Sequence, residues 1–386
     1  MKFKAAVIYK PGDPFEFQEV EMDDEPRDDE VLVKIHASSI CHSDEYVRSA
    51  GVAIKLPAIL GHEGAGVVQK VGSKVTKVKP GDHVIMTTPH CGECENCKKG
   101  KYTACVHGYE LQFGRKDKTA RIRDKNGNPL GQMMGQGSFG EYTMVFESSC
   151  VKVDPEIPFD IVAPVGCGFT TGTGTVLNYL KPKPDDVVAV YGLGSTGTAS
   201  LMGAVLAGCK TIIAVSRSDK KLELAKKLGA THLINRTKIE EEKGHQYEVS
   251  GPEGFLEPIK YPVTDAVKDC TGGRGVDYAI VTAPVDEVAI PAIKSLATYG
   301  ECCITASLYT VEAPTQRMQA MNTKISSCGM GDANKYEFFP YILEQYKKGN
   351  YPIDLLLTHY SFEDINQAFR DMEDGIAVKP VMEWKV

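Results

Sequence analysis

The chain has 386 residues and a formal net charge of −7, with 42% hydrophobic and 25% charged residues. This is the composition of an ordinary globular protein, and at roughly 100–200 residues per domain it predicts two domains. The acidic balance disfavours nucleic acid or an anionic membrane as a partner, because both bind basic surfaces.

The N-terminal residues contain no apolar signal-peptide core, and no stretch holds the roughly 18 apolar residues that a membrane span needs. We therefore expect a soluble, cytoplasmic protein with neither a nucleic-acid nor a membrane partner. In a reducing compartment its twelve cysteines are expected to be metal ligands, catalytic groups or core residues rather than disulfides.

The first 150 residues contain short stretches of β-branched residues between glycine and proline turns. The segments 31–38, 66–72 and 79–86 are typical of strands, and no long helical periodicity occurs among them. This part of the chain predicts an irregular, β-rich domain.

One short loop within residues 90–106 carries four cysteines in the spacing Cys-x2-Cys-x2-Cys-x7-Cys: Cys91, Cys94, Cys97 and Cys105. Four thiolates with no open position are typical of a closed, tetrahedral, structural zinc site. A four-iron cluster also binds four cysteines and is the alternative.

The pattern changes near residue 169. Continuous apolar runs at 187–191, 211–215, 232–235, 276–281 and 301–305 predict buried strands. They alternate with helical segments, of which 218–230 has an N-cap serine, helical periodicity and a Gly-Ala stop. This alternation predicts a doubly wound parallel α/β sheet, and residues 237–262 form a polar surface excursion from it.

A glycine-rich turn, G-x-G-x-x-G, follows the strand at 187–191 and opens a helix. It comprises Gly192, Gly194 and Gly197, with Ser195 and Thr196 between the last two. The glycines allow a tight turn, close approach to a pyrophosphate and close helix–strand packing. The turn therefore predicts dinucleotide binding.

The next strand ends at Ser216, where an NAD site usually has an acidic residue that binds the ribose 2′-hydroxyl. Arg217 follows, and Lys220 and Lys221 are nearby. A hydroxyl and a guanidinium accommodate a 2′-phosphate, which an acid would repel. We predict a preference for NADP(H), with NAD(H) as the alternative.

A second set of metal-binding residue types is scattered along the chain. Cys41 lies in SSICHSDEYV, His62 and Glu63 in LGHEGAG, and Cys167 in APVGCGFTTGTG. One histidine and two thiolates form a three-ligand zinc site that leaves a position for water or substrate.

These motifs, in this order along almost the whole chain, resemble the zinc-dependent medium-chain alcohol dehydrogenases. In that family, the residues that match Cys41, His62 and Cys167 hold the catalytic zinc, and the glutamate matching Glu63 can enter its coordination. The aspartate matching Asp44 contacts the zinc-ligating histidine. The four-cysteine loop holds a structural zinc, so the resemblance implies two zinc ions per chain.

The resemblance also implies a fold: a Rossmann domain at 169–329 inserted between two segments, 1–168 and 330–386, of a catalytic domain built on a partly open β-barrel. Two amphipathic helices, at 335–348 and 361–374, and a last strand at 379–384 complete the second segment. Nicotinamide, zinc and substrate meet in the cleft between the domains, and family members are usually homodimers or homotetramers.

Further residues receive roles by the same resemblance. Ser43 matches the hydroxyl that starts the proton path from the substrate. His42 and Lys379 match basic residues that bind the cofactor pyrophosphate, and Thr171 matches a residue beside the nicotinamide. The histidine that often ends the proton path is Tyr46 here, and a phenol with a pKa of about 10 is a poor base at neutral pH.

The segment from Gly108 to Leu130, followed by GQGSFGEY, is most similar to the aryl and benzyl alcohol dehydrogenase branch. A primary alcohol and its aldehyde, aromatic or allylic, are therefore the predicted substrates. One alternative is a polyol or secondary-alcohol dehydrogenase of the same superfamily. Another is a non-enzymatic sensor that binds zinc and a dinucleotide, although it would need no open metal site.

Overall fold

A computed structural model of the chain describes residues 1–113, 120–251, 258–306 and 310–384. The chain divides into two compact units. Unit 1 contains Met1–Gly168 together with Ala333–Val386, and unit 2 contains Phe169–Asp332. Unit 2 is thus an insertion in the sequence of unit 1.

The strands, in chain order, are β1 (Lys2–Ile8), β2 (Glu16–Met22), β3 (Glu30–Ser39), β4 (Ala58–Ile59), β5 (Gly64–Val71), β6 (His83–Met86), β7 (Ile122–Arg123), β8 (Pro129–Gln132), β9 (Tyr142–Phe146), β10 (Cys150–Lys152), β11 (Val187–Tyr191), β12 (Thr211–Ser216), β13 (His232–Asn235), β14 (Tyr247–Glu248), β15 (Ile259–Lys260), β16 (Val276–Val281), β17 (Leu296–Ile304), β18 (Lys324–Ser326), β19 (Leu357–Ser361) and β20 (Lys379–Glu383).

The α-helices are α1 (His42–Ala50), α2 (Glu95–Lys98), α3 (Gly108–Phe113), α4 (Phe159–Val162), α5 (Gly168–Gly174), α6 (Ser195–Leu206), α7 (Asp219–Lys227), α8 (Arg236–Lys243), α9 (Pro262–Asp269), α10 (Asp286–Lys294), α11 (Thr315–Met321), α12 (Lys335–Lys347) and α13 (Ile365–Glu373). In the described part of the chain, every helix is too short or too polar to cross a membrane.

Unit 1 is built on two sheets. Strands β1, β2, β7, β8 and β4 close into a barrel, because β4 pairs with β8 on one side and with β1 on the other. The second sheet has the order β10-β6-β5-β3-β20-β19, and β9 also pairs with β3. Apolar side chains from both sheets and from α13 form one continuous core. The predicted β-rich domain is confirmed.

Strand β20 comes from the end of the chain and pairs antiparallel with β3, so that Val381 lies opposite Ser39. This pairing brings the last described strand next to the segment that leads into α1. It is the feature of the fold that carries Lys379 to the candidate site.

Unit 2 contains a six-stranded sheet in the order β13-β12-β11-β16-β17-β18, and all its pairings are parallel. Counted from β11, this is the order 3-2-1-4-5-6 of the Rossmann fold. Every residue of β11 is buried, as expected for a strand covered on both faces. The predicted doubly wound parallel sheet is confirmed.

Local sequence patterns explain several boundaries in unit 2. Helix α7 begins after Ser218, whose hydroxyl accepts a hydrogen bond from the Lys221 amide, as an N-cap residue does. The polar segment 237–262 is partly regular: it contains most of α8 and the hairpin β14–β15. Residues 252–257 of that segment lie outside the described residues.

Candidate active site

Four side chains that are far apart in sequence converge in unit 1. Cys41 precedes α1, His62 and Glu63 precede β5, and Cys167 precedes α5. One ligand atom from each lies within 4.8 Å of the ligand atoms of the others, and His62 and Glu63 are buried. The structure therefore brings together the scattered residues that the sequence predicted as zinc ligands.

The two ring nitrogens of His62 have different surroundings. Nδ1 lies 2.9 Å from a carboxylate oxygen of Asp44, which fixes Nδ1 as the protonated nitrogen. Nε2 is buried near the Cys41 sulfur and, among the described residues, has no hydrogen-bond partner. A buried lone pair without a donor fits a metal ion, and the Asp–His contact is the usual support of a ligating histidine.

Asp44 is fully buried and connects three parts of the site. One carboxylate oxygen accepts the Cys41 amide at 2.9 Å, and the other accepts the Gly61 amide at 3.1 Å as well as His62 Nδ1. The same side chain caps the first turn of α1. Asp44 thus holds Cys41 through the Cys41 backbone amide and holds His62 through the imidazole ring.

Glu63 is held by three donors. Its Oε1 accepts the Gly168 amide at 3.0 Å, and its Oε2 accepts the Ser39 hydroxyl and the Lys379 ammonium. Burial raises the pKa of Glu63, although the positive charge of Lys379 opposes this. In this arrangement the glutamate lies beside Cys41, His62 and Cys167. Residues of β3, β20 and the start of α5 anchor it.

Lys379 is completely buried, and its Nζ also donates to the Ile40 carbonyl at 3.2 Å. Burial is the largest influence and would lower the pKa of this lysine, but Glu63, Cys41 and Cys167 together raise it. The sequence-based prediction placed Lys379 on the cofactor phosphates. The structure gives it different contacts, because β20 pairs with β3 and points this side chain at Glu63.

The two cysteines of the cluster influence each other. A hydrogen bond from Cys167 lowers the pKa of Cys41, with His62 contributing in the same direction against the effect of burial. The pKa of Cys167 is raised correspondingly. Two cysteine sulfurs and an imidazole nitrogen are the donor atoms that zinc prefers.

The four loop cysteines also form a cluster, with their sulfur atoms within 4.8 Å of one another. Backbone amides point at the sulfurs: the Cys91 amide lies 3.3 Å from Cys105 Sγ, and the Cys94 amide 3.4 Å from Cys91 Sγ. Amide hydrogen bonds lower the pKa of Cys94 to about 6. Burial raises the pKa of Cys97 to about 12, so the thiol pKa values differ within the loop, while the four sulfurs lie close enough to surround one ion.

Lys335, which the sequence analysis did not single out, anchors the segments beside this loop. Its buried Nζ donates to the Thr88 carbonyl at 2.8 Å and to the Ser148 carbonyl. Burial lowers its pKa to about 7. No motif marks this lysine, since its partners are main-chain atoms more than a hundred residues earlier.

Another group of possible ligands lies on the surface of unit 1: Asp160, His359 and Glu383. His359 Nε2 is 3.0 Å from an Asp160 oxygen. Its imidazole is half exposed, so an ordinary surface ion pair explains this group.

In unit 2 the glycine turn has the geometry that the sequence predicted. Gly192 has a φ of +99°, which side-chain-bearing residues rarely adopt. A Cβ on Gly197 would lie 2.0 Å from the Gly192 carbonyl oxygen, whereas a Cβ on Gly194 would meet nothing within 4 Å. The second glycine therefore leaves the open space that a pyrophosphate needs next to the N-terminus of α6.

Thr282 was missed by the sequence analysis, although it supports this turn. Its hydroxyl donates to the Gly192 carbonyl at 3.0 Å. Ser195 and Thr196 form the first turn of α6 and are partly buried. Thr171 lies in α5, where its hydroxyl contacts the Met330 sulfur at 3.6 Å.

The predicted specificity residues lie at the end of β12 and the start of α7. Ser216 is the last residue of β12, and its hydroxyl accepts from the Ser218 amide at 3.3 Å. Arg217 is exposed. Burial, and then the charges of Arg217 and Lys220, lower the pKa of Lys221. Two like charges near Lys221 mark a locally positive region.

Comparison with known proteins identifies the family. The alcohol dehydrogenase GroES-like domain matches residues 27–155, and the zinc-binding dehydrogenase domain matches residues 195–345. An S-(hydroxymethyl)glutathione dehydrogenase of Escherichia coli is 36% identical over 401 aligned positions, covering 100% of both chains. The chain belongs to the zinc-dependent medium-chain alcohol dehydrogenase family. It is an oxidoreductase.

Two solved structures are similar to this alcohol dehydrogenase along its whole length, each with 100% of both chains covered. An alcohol dehydrogenase zinc-binding domain protein of Burkholderia ambifaria is 34% identical, with a TM-score of 0.90. A benzyl alcohol dehydrogenase of Acinetobacter calcoaceticus is 30% identical, with a TM-score of 0.87.

Three residues of this family member that were considered in the sequence lie in α1, the helix that begins directly after Cys41. His42, the first residue of the helix, is exposed, Ser43 is partly buried, and Tyr46 is 41% exposed. Residues 114–119, part of the segment that is most similar to the benzyl alcohol branch, lie outside the described residues.

Proposed function

We propose that this chain transfers a hydride between NADP(H) and a primary alcohol or aldehyde, with one zinc at Cys41, His62 and Cys167 and a second at the four-cysteine loop. The observation that carries the proposal is the buried Nε2 of His62, which lies beside two thiols while Asp44 fixes the opposite ring nitrogen. Metal analysis tests it: two zinc ions per chain are expected, and one would contradict it.

Zinc bound to this cluster supplies a Lewis acid that favours the alkoxide form of an alcohol, and the nicotinamide supplies the hydride acceptor. Asp44 keeps the His62 ring oriented through its contact with Nδ1 and leaves Nε2 for the metal position. Glu63, anchored by Ser39 and Lys379, provides a carboxylate that can approach the metal position. Each of these residues is held by hydrogen bonds in the structure.

Ser43 is proposed to take the proton that the alcohol loses. It follows Cys41 by two residues in the first turn of α1 and is partly buried. Since Tyr46 replaces the usual histidine, the proton is expected to pass from Ser43 to water. Ser43→Ala should lower kcat for alcohol oxidation while leaving zinc content unchanged.

The proposed NADP(H) preference is supported by Ser216 and Arg217. Strand β12 ends at Ser216 and not at an acidic residue, and the Arg217 side chain, which is proposed to contact a 2′-phosphate, is exposed. A hydrogen bond between charged groups contributes about 1.5–3 kcal/mol, which corresponds to roughly 10–150-fold in affinity. His42, Thr171 and Lys221 are proposed as further cofactor contacts.

The test compares Arg217→Ala with the parent protein, using NADPH and NADH as separate ligands in a fluorescence titration. We expect the affinity for NADPH to fall about 10–150-fold and the affinity for NADH to change little. Lys227→Ala, at the exposed C-terminal end of α7, the helix that follows Arg217, is the matched control and should affect neither. Equal losses for both cofactors, or better catalytic efficiency with NADH, would contradict the preference.

For the substrate we propose an aromatic or allylic primary alcohol, supported by the likeness to the benzyl alcohol dehydrogenase structure. The full-length similarity to S-(hydroxymethyl)glutathione dehydrogenases favours a second candidate, the adduct of formaldehyde and glutathione. The two differ in charge and size, so kinetics separate them.

A panel of benzyl alcohol, cinnamyl alcohol, ethanol, sorbitol and the formaldehyde–glutathione adduct, each with NADP and NAD, decides between these candidates. The highest kcat/KM is expected for benzyl or cinnamyl alcohol. A higher value for the glutathione adduct supports the second candidate instead. No turnover of any alcohol by protein that holds two zinc ions would contradict the enzymatic proposal.

A further inference from the structure

Two cysteines outside the metal clusters lie together in unit 2. Cys303 is near the carboxyl end of β17, where it pairs with Ser326 of β18. Cys328 follows β18 in the turn that leads to residues 329–332. Cys328 is two residues beyond Ser326, the partner of Cys303, so the two side chains lie near each other, and both cysteines are free. Cys303 is buried, whereas Cys328 is partly exposed.

The turn that carries Cys328 is packed closely against the helical segment after α5. The Thr175 hydroxyl lies 3.3 Å from the Cys328 sulfur, and Asn178 donates to the Gly331 carbonyl at 3.2 Å. A Cβ on Gly331 would lie 2.6 Å from the Gly174 Cα. This packing holds the partly exposed thiol next to the buried one.

The two thiols differ in reactivity. Hydrogen bonding from Cys303 lowers the pKa of Cys328 to about 7, although burial opposes this. The pKa of Cys303 is raised by the same contact. Cys150, Cys209, Cys270 and Cys302, which also lie outside the metal clusters, all have a raised pKa, mainly because of burial. Cys328 is therefore the more exposed and the more acidic thiol of the pair.

We propose that Cys303 and Cys328 form a redox modification site that closes to an intrachain disulfide when the protein meets hydrogen peroxide. The Cys328 thiolate attacks one peroxide oxygen and breaks the O–O bond, which gives a sulfenic acid and a hydroxide. The hydroxide takes a proton and leaves as water. The Cys303 sulfur then displaces the sulfenic hydroxyl, which leaves as a second water with the Cys303 proton. Two thiols are oxidised and one peroxide is reduced.

The experiment uses the full-length, zinc-loaded protein at neutral pH. After treatment with hydrogen peroxide, free thiols are blocked with N-ethylmaleimide, and the digested protein is examined by mass spectrometry without reduction. We expect a linked peptide pair containing Cys303 and Cys328, which dithiothreitol separates. Zinc release is followed in parallel to detect oxidation of the metal-cluster sulfurs.

Substitutions of single cysteines test which residues form the disulfide. Cys303→Ala and Cys328→Ala should each abolish the linked pair. Cys302→Ala is the matched control, because Cys302 is buried in the same strand and packs into the core; it should leave the pair intact. Cys303→Ala should also accumulate a sulfenic acid on Cys328, detectable with dimedone, since no second thiol is present to resolve it.

The rate of disulfide formation provides a second measurement. Because the thiolate is the nucleophile, the rate of closure should fall about fivefold from pH 7 to pH 6. Absence of the Cys303–Cys328 pair under peroxide, or disulfides confined to the metal-cluster cysteines, would overturn the proposal. Loss of the pair in Cys302→Ala would do the same.

Discussion

Replacing Asp44 by asparagine removes one negative charge from the centre of the candidate active site with little change in shape. In the structure the carboxylate accepts three hydrogen bonds, from the amides of Cys41 and Gly61 and from His62 Nδ1. Asparagine has one acceptor oxygen. If that oxygen serves Gly61 and His62, its NH2 group faces the Cys41 amide, and two donors then oppose each other.

The expected loss follows from these contacts. A buried hydrogen bond that involves a charged group contributes about 1.5–3 kcal/mol, so we expect Asp44→Asn to lower the free energy of unfolding by about 2 kcal/mol. Loss of the carboxylate support of a ligating histidine weakens metal affinity by about 10–100-fold. The effect should be confined to the zinc at the Cys41 cluster.

The assay measures zinc transfer to a colorimetric chelator and urea unfolding of the same samples. One zinc per chain should become more labile, and the other should be unchanged. Asp124→Asn is the control, because Asp124 is also buried in unit 1 and accepts the amides of Asn126 and Asn128 at 2.9 Å. It should lose similar stability without changing zinc transfer. Unchanged zinc affinity in Asp44→Asn would refute the role assigned to this carboxylate.

Other substitutions test the glycine turn, the buried Lys379–Glu63 pair and the four-cysteine loop. Gly194→Ala, where a Cβ meets open space, should leave Tm unchanged but weaken dinucleotide binding in a fluorescence titration, whereas Gly197→Ala should lower Tm; equal Tm losses would contradict this. Lys379→Met should lower the free energy of unfolding, measured in urea, by about 3–5 kcal/mol, because it leaves the Glu63 charge buried without a partner. Adding Glu63→Gln should recover part of this stability. Cys97→Ser should remove one zinc per chain and lower Tm, and loss of turnover at unchanged Tm would argue against a structural metal.

Local patterns predicted much of unit 2. The buried strand at 187–191 and the capped helix after Ser218 are specified by residues within a few positions of one another, and the structure forms both. Patterns of this kind depend on periodicity and caps, which sequence displays directly. The short strands β4 and β7 have two residues each, too few for any period, so the closure of the barrel could not be predicted.

The candidate site, like the fold, could be predicted only in part from the sequence. Motifs predicted that Cys41, His62 and Cys167 form one cluster, because metal ligands must be particular residue types, and the structure brings these side chains together. The partner of Lys379 could not be identified, since it lies 316 residues away and is set by the register of β20 on β3. The supporting contacts of Lys335 and Thr282 with main-chain carbonyls leave no trace in sequence, because any residue can offer a carbonyl.

Strand β20 also determines when the site can be completed during synthesis. Unit 2 has left the ribosome, and can fold, while the sheet of unit 1 still lacks the strand beside β3 and the ammonium group beside Glu63. Until residue 379 emerges, Glu63 lacks the Lys379 ammonium that contacts it in the folded chain. The Glu63 carboxylate therefore receives its full set of donors only when the last strand has been added to the sheet.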